Sequence, residues 1–388
     1  MKKSLLIIAT AALVISCANE SVRNDVTENE FPIGFTPSFM EKSTRANAGE
    51  MAISPTNTFN VDGNTFEVWG WVSRTAGLTK IFNEQRVEYQ TSNLSSTSST
   101  GWGYTPLKYW DRTASYMFYA AAPYDYFTLV NSETESARIF SATNIDPIQV
   151  LQDSAGNSQT VLPTDTRTGI TKSSAIDYLV AAVVPCSTAD QQGNDANDKD
   201  VAFTFSHILS KLTVRVLTTS DFSGANKPII KLTNLKIKLN HLAQNYEQKT
   251  AGIVAGDSIN KDIWTNPTTT AEEITCFALG TTIDSLLLET TPTVIASYFV
   301  TPTTTGTTTP VLYSGSADVT VVAEYSVYYT DGVKDHCTTP ETTVAQLKKF
   351  VQNTSNILNI TVSPQAILFD VATVNGFDTG SETDQDVH

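Results

Sequence analysis

Histidine is the first residue type in this chain to consider for chemistry, because it serves both catalysis and metal binding. The four histidines, His207, His241, His336 and His388, form neither an HExxH nor an H-x-H pattern, so no metal site is predicted. His207 lies in the apolar stretch "VAFTFSHILSKL". A histidine in such a stretch is more often a buried residue with a hydrogen-bond partner than a ligand, and we interpret it as structural.

Nucleophile and phosphate motifs are also missing from the sequence. It contains no G-x-S-x-G elbow, no Gly-rich phosphate loop and no plausible pair of carboxylates. We therefore predict no catalytic residue, no cofactor and no enzymatic activity. A secreted hydrolase is the third of three hypotheses, and the absence of any catalytic constellation is the evidence against it.

The five tryptophans could stack on sugar rings; they are Trp69, Trp71, Trp102, Trp110 and Trp264. Trp69 and Trp71 share one strand face by two-residue alternation, and large aromatic side chains on such a face usually fill a core. The pattern therefore favours core tryptophans over a sugar platform, and the platform stays open as an alternative.

The N-terminus has the three parts of an export signal: two lysines, an apolar run over residues 5–15, and Ser16-Cys17. The run is too short to span a membrane as a helix. Since "VISC" matches a bacterial lipobox, we predict that residues 1–16 are removed and that Cys17 carries lipid. The alternative is an ordinary secretory signal followed by an incidental cysteine.

The remaining cysteines are Cys186, Cys276 and Cys337. Their spacing fits neither CxxC nor a zinc pattern, so we expect buried thiols or one incidental bridge.

Composition predicts an all-β protein. The 388 residues are 40% hydrophobic and 17% charged, and aromatic and β-branched residues cluster in short runs bounded by turn residues. The formal net charge of −15 and the lack of a Lys/Arg cluster argue against a nucleic-acid partner.

Strand candidates recur along the whole chain. A polar stretch over residues 187–200 separates two groups of them. We predict an N-terminal sandwich over 46–196, a C-terminal sandwich over 197–377 and an acidic tail over 378–388. The predicted strands before the polar stretch cover 64–73, 106–110, 114–124 and 175–185.

The segment between Cys17 and the first predicted sandwich contains a candidate for a removable strand. A polar tether leads to "FPIGFTPSF", in which Phe31, Ile33, Phe35 and Phe39 share one face of an extended strand. Arg45 follows in a polar stretch, either as a solvated linker residue or as a place where the chain is cut. Removing a strand from a sandwich would leave unpaired backbone groups over exposed core, which a strand from another subunit could fill.

These pieces together resemble the fimbrillin family, the type V pilus subunits of anaerobic Gram-negative bacteria. The resemblance rests on the lipobox, "FPIGFTPSFMEKSTRA", "FEVWGWVS", "LKYWDRTASYMFYAAAPY" and, most specifically, "FTFSHILSKLTVRV". It implies two tandem transthyretin-like β-sandwich domains and a structural subunit of a cell-surface fimbria, possessing no enzymatic role.

The resemblance also implies how the subunit matures. A trypsin-like, arginine-specific surface protease would cut between Arg45 and Ala46, release residues 17–45 as a propeptide, and so allow polymerisation with other fimbrial subunits by strand exchange. The C-terminal strand, with Ile367, Phe369 and Val371 alternating, is the candidate donor, although the same pattern suits a resident edge strand.

Location follows from the same resemblance. The protein would be an outer-membrane lipoprotein before processing and a component of the fimbrium afterwards, with a host receptor or glycan as a further partner. An anchor subunit would keep its lipid, whereas a shaft or tip subunit would lose it. The alternative from another class is a lipid-anchored, monomeric glycan-binding protein of the cell surface.

Overall fold

The fold was obtained as a computed structural model. It describes residues 32–39, 60–90, 101–111, 113–130, 139–146, 148–150, 175–181, 184–186, 200–219, 228–239, 244–249, 262–265, 272–277, 286–302, 319–344, 347, 350–363 and 367–375. Across these ranges the regular structure is entirely β, as the composition predicted. No helix in them is long and apolar enough to cross a membrane.

The strands of the described residues are, in chain order, β1 (Phe35–Phe39), β2 (Thr65–Arg74), β3 (Gly77–Tyr89), β4 (Trp102–Gly103), β5 (Ser115–Ala122), β6 (Thr128–Val130), β7 (Ile139–Ala142), β8 (Ile148–Val150), β9 (Leu179–Ala181), β10 (Val184–Cys186), β11 (Val201–His207), β12 (Ser210–Thr218), β13 (Ile229–Leu239), β14 (Asn245–Lys249), β15 (Asp262–Thr265), β16 (Glu272–Phe277), β17 (Leu286–Leu287), β18 (Thr293–Val300), β19 (Val319–Tyr328), β20 (Lys334–Thr338), β21 (Thr342–Thr343), β22 (Thr354–Val362) and β23 (Ile367–Asn375).

The first sheet has the order β1-β11-β9-β5-β2-β3-β4, with β10 also pairing with β5. Its inner face encloses a core rich in aromatic side chains. Strand β1 lies at one end of this sheet and pairs in parallel with β11, although about 160 residues separate the two strands along the chain. The N-terminal segment is therefore part of the first folded unit.

The C-terminal sandwich consists of two sheets. One has the order β23-β22-β12-β18-β8, and the other has the order β16-β13-β19-β20, with β17 and β21 pairing at its sides. Aliphatic side chains of β12, β13, β19 and β22 dominate the core between them. Alternate residues of β13 and β19 are buried, which is the pattern of strands with one face on a core.

A fourth sheet, of four strands, has the order β15-β14-β7-β6. Its Tyr246 and Trp264 belong to the same buried cluster as Trp69, Trp71 and Tyr119 of the first sheet. Both faces of β2 are consequently covered, one by the inner core and the other by this second cluster.

Two strands pair with strands on the other side of the domain boundary that the sequence predicted between residues 196 and 197. Strand β11 follows that point but pairs with β1 and β9 of the first sheet. Strand β8 precedes it but pairs with β18 of the C-terminal sandwich. As a proposal, the division between the two main sheets falls after His207, where β12 begins the second core.

Most strand predictions are confirmed, including those that correspond to β2, β5 and the pair β9 and β10. The strand predicted at 106–110 is wrong. These residues form a loop in which only Tyr109 makes a bridge, to Pro32. Pro106 has no N–H to donate and Leu107 is exposed, so the run does not form a regular strand ladder.

Candidate functional site: the seat of the N-terminal strand

Phe35 of β1 is fully buried inside the first sheet. Its ring stacks on Phe203 of β11, with centroids 5.8 Å apart and planes at 21°. Further rings surround it with centroids at 5.5 to 6.3 Å, namely Phe66, Phe82, Tyr104 and Phe118. These side chains form an aromatic pocket that Phe35 fills.

Backbone hydrogen bonds hold the strand on both sides. On one side, the Val201 amide donates to the Gly34 carbonyl at 2.8 Å, next to the parallel β1–β11 ladder. On the other side, the Ile33 amide donates to the Lys108 carbonyl at 2.8 Å. The Tyr104 hydroxyl donates to the Ile33 carbonyl, also at 2.8 Å. The strand therefore lies in a groove between β11 and the 104–109 loop.

Two side-chain hydrogen bonds fix the strand relative to β11. The Thr36 hydroxyl donates to Oδ2 of Asp200 at 3.0 Å, and the Ser38 hydroxyl donates to the Phe203 carbonyl at 3.2 Å. Burial raises the pKa of Asp200 above its usual value, and the Thr36 hydrogen bond opposes that shift. Both the polar and the apolar side chains of β1 therefore meet suitable partners in the groove.

The sequence explains why this segment forms an edge strand. Ile33, Phe35 and Pro37 are buried at alternate positions, as expected for an extended chain. Pro37 lacks an amide donor, which an edge strand tolerates. Ile33 and Phe35, which two-residue alternation placed on one face of an extended strand, are both fully buried. Phe39 ends β1 opposite Phe205.

Several predicted site residues cannot be placed. Cys17, Phe31, Arg45 and Ala46 lie outside the described residues. The seat of β1 is described, whereas the expected lipid attachment and cut positions on either side of it are not.

The C-terminal candidate donor strand, β23, is an edge strand of its own sandwich. It pairs antiparallel with β22 from Thr354↔Asn375 to Val362↔Ile367. Phe369 and Val371 are half-buried against the C-terminal core, and Leu368, the residue before Phe369, is exposed. The structure thus brings the two candidate strands to separate sheets.

His207 has a buried partner, as the sequence interpretation held. Its Nδ1 lies 2.7 Å from Oδ1 of Asp177, and both side chains are almost fully buried. His207 ends β11, and Asp177 lies just before β9, so the pair ties together two neighbouring strands of the first sheet.

The tryptophans occupy core positions. Trp69, Trp71, Trp102 and Trp264 are buried, and Trp110 is half-buried against Tyr116 and Phe118. The core interpretation of Trp69 and Trp71 is confirmed, and the four buried rings offer no face to a sugar.

Glu67 is a buried carboxyl that sequence analysis missed. It accepts hydrogen bonds from the backbone amides of Asp125 and Phe127 at 3.3 and 3.1 Å. Burial raises its pKa to about 8, and the two amide donors oppose that rise. Alternation along β2 places position 67 on the face of Trp69, but nothing in the sequence indicates the loop that meets it.

The described residues contain no disulfide bridge between cysteines and no cluster of metal ligands. Cys186, Cys276 and Cys337 are free thiols, so the bridge that the sequence left open is absent among them. Burial raises the pKa of the Cys276 thiol to about 12. The part of the chain that the structure describes contains no cluster of three or more side chains able to hold a metal ion.

Sequence analysis also missed most of the groove wall. Phe203 could have been found, since "FTF" places Phe203 and Phe205 on one strand face. Asp200 gave no signal, because it is the last residue of a polar run that contains several similar residues.

The described residues form an all-β fold, and its best-defined site is a groove occupied by the chain's own N-terminal strand. The sequence model of the fimbrillin-like family matches residues 44–376, and the chain belongs to this family.

Solved structures are similar to this chain at low sequence identity. A fimbrial protein from Bacteroides vulgatus ATCC 8482 is 17% identical and matches with a TM-score of 0.56, over 90% of this chain and 100% of that one. The tip fimbrial protein Mfa3 from Porphyromonas gingivalis, with a C-terminal truncation, is 9% identical with a TM-score of 0.33, over 85% and 98% of the two chains. No curated protein matches the chain.

Proposed function

We propose that this protein is a structural subunit of a cell-surface fimbria, assembled with other fimbrial subunits by strand exchange. The observation that carries the proposal is the seat of Phe35, an N-terminal side chain buried among five aromatic rings of the first sheet. Membership of the fimbrillin-like family supports it independently.

Maturation would begin at the N-terminus. The chain is exported with lipid on Cys17, and an arginine-specific surface protease cuts between Arg45 and Ala46. The cut leaves the segment that contains Phe31, Ile33, Phe35 and Phe39 without a covalent link to the sandwich. Its local concentration then falls from that of a tethered segment to that of free peptide, which favours its departure.

The emptied groove would expose both apolar surface and backbone donors and acceptors. Ile33 and Phe35 are each fully buried, and burying such side chains contributes about 1.5 to 3 kcal/mol apiece. A strand donated by another subunit would recover that contribution together with the β11 ladder. This gives a polymer joint made of the same contacts that β1 makes within one chain.

The test is assembly with and without the cut. Purified full-length protein is treated with an arginine-specific protease, and polymer formation is followed by light scattering at increasing concentration. We expect the wild type and Lys42→Ala, the matched control, to polymerise after treatment, and Arg45→Ala to stay monomeric.

Folding must be checked in parallel, because a misfolded variant would also fail to polymerise. Circular dichroism and thermal unfolding of Arg45→Ala should match those of the wild type. Equal polymerisation of Arg45→Ala and wild type would contradict the role of the cut.

A further inference from the structure

The carboxylate of Asp200 lies at the end of the groove where β11 begins, and it faces β1. Its Oδ2 accepts the hydrogen bond from Thr36, the residue that follows Phe35. Thr36 and Asp200 are both half-buried. A strand in this groove therefore presents a large apolar side chain to the aromatic pocket and, one residue later, a hydroxyl group to a carboxylate.

We infer that Asp200 determines which strand the groove accepts, by requiring a hydrogen-bond donor immediately after the residue that fills the aromatic pocket. The inference rests on the proposed function and deepens it, since it names the chemistry of the incoming strand. That strand runs parallel to β11, as β1 does. It carries an apolar residue at the Phe35 position and threonine or serine at the Thr36 position.

The groove has a second polar requirement two residues further on. The Ser38 hydroxyl donates to the Phe203 carbonyl at 3.2 Å. An incoming strand with hydroxyl groups at both positions would satisfy both acceptors, whereas an aliphatic residue at either would leave one without its strand partner.

This chain's own β23 does not meet the requirement in the β1 orientation when one of its candidate donor residues, Ile367, Phe369 or Val371, fills the aromatic pocket. If Phe369 filled the aromatic pocket, Asp370 would take the Thr36 position and bring a second carboxylate to Asp200. If Ile367 or Val371 filled it, the next residue would be Leu368 or Ala372, neither of which has a side-chain donor. In these registers, β23 is therefore a poorer match to the groove than a strand that carries threonine or serine after its anchoring residue.

The first test uses the uncut chain, so it does not depend on strand release. Amide hydrogen exchange is measured over residues 33–38 in the wild type, Thr36→Asp, Asp200→Asn and the double variant, with β13 as internal reference. Because hydrogen bonds to charged groups contribute about a tenfold factor or more, Thr36→Asp should speed exchange at least about tenfold. Asp200→Asn should restore it to within about threefold, and Thr36→Ser should behave like the wild type.

The second test offers free peptides to the protein cut at Arg45. The peptides are residues 31–39, residues 365–375, and the latter with Asp370→Thr, each titrated against the wild type and Asp200→Asn. We expect residues 31–39 to bind most tightly. Asp370→Thr should improve binding of the second peptide at least about tenfold to the wild type, but only slightly to Asp200→Asn.

The outcomes separate the two claims. Unchanged exchange in Thr36→Asp, or equal binding of the two 365–375 peptides to the wild type, would overturn selection by Asp200. Failure of every peptide to bind, with the exchange results as expected, would refute the proposed strand exchange while leaving the match between Thr36 and Asp200 intact.

Discussion

The rings of Phe35 and Phe203 stack at 5.8 Å in the core of the first sheet, joining the N-terminal strand to a strand about 170 residues later. This contact places a segment upstream of Arg45 inside the folded unit that would remain after a cut at Arg45. It is the physical reason why such a cut would alter the protein, because a core side chain would leave with the released segment.

Replacing Phe35 with alanine should weaken the first sheet strongly. The ring is fully buried among five others, and truncating a buried phenylalanine costs about 3 to 5 kcal/mol of unfolding free energy. Urea unfolding of the uncut protein measures the loss. Leu368→Ala, at a side chain that is 58% exposed, is the control and should cost less than about 0.5 kcal/mol. Equal losses for the two variants would show that Phe35 is not a core residue.

Gly70 should not tolerate a side chain, even one methyl group. A Cβ atom there would lie 2.8 Å from Cδ2 of Phe82 and 2.9 Å from Cδ1 of Phe118. Both rings belong to the buried core next to Phe35 and cannot move freely. Gly70→Ala should lower the unfolding free energy by about 1 to 3 kcal/mol. Ser73→Ala, at an exposed position of the same strand, should unfold like the wild type.

Glu67 should make stability depend on pH. Burial raises its pKa in the folded state to about 8, from a reference value of 4.5. The folded state therefore binds more protons than the unfolded state between these values, and the unfolding free energy falls as pH rises from about 4.5 to 8. Glu67→Gln cannot ionise at this position. The unfolding free energy of the wild type should therefore fall relative to that of Glu67→Gln as the pH rises over that range. A difference that is constant from pH 5 to 8 would contradict the raised pKa.

The pair His207 and Asp177 should stabilise the first sheet. Their side chains meet at 2.7 Å and are almost fully buried, so removing one leaves the other without this contact. His207→Ala should cost about 1 to 3 kcal/mol in thermal or urea unfolding. The control is His336→Ala, at an exposed residue of β20, which should change stability by less than about 0.5 kcal/mol.

Local patterns predicted the strands well and their partners poorly. Alternation in "FPIGFTPSF" correctly placed Ile33 and Phe35 on a buried face. It could not show that the strand pairs in parallel with β11, because a two-residue period carries no information about which distant strand supplies the hydrogen bonds. The same limit explains why the boundary predicted at 196/197 did not anticipate that β8 pairs with β18 and β11 with β1 and β9.

In the candidate site, the sequence revealed the apolar residues but not the polar ones. Hydrophobic residues of the groove were visible as strand residues, whereas Asp200 and Glu67 owe their importance to burial beside a particular partner. In the loop at 106–110, an apolar run was mistaken for a strand, because composition could not reveal that only Tyr109 would find a bridging partner.

The most direct test of strand exchange is the N-terminal sequence and intact mass of this protein taken from assembled fibres on its native cell surface. We expect chains that begin at Ala46 and lack the segment containing Phe35. Assembled chains that begin with a lipid-bearing Cys17 and retain Phe35 would contradict release of the strand as the step that opens the groove.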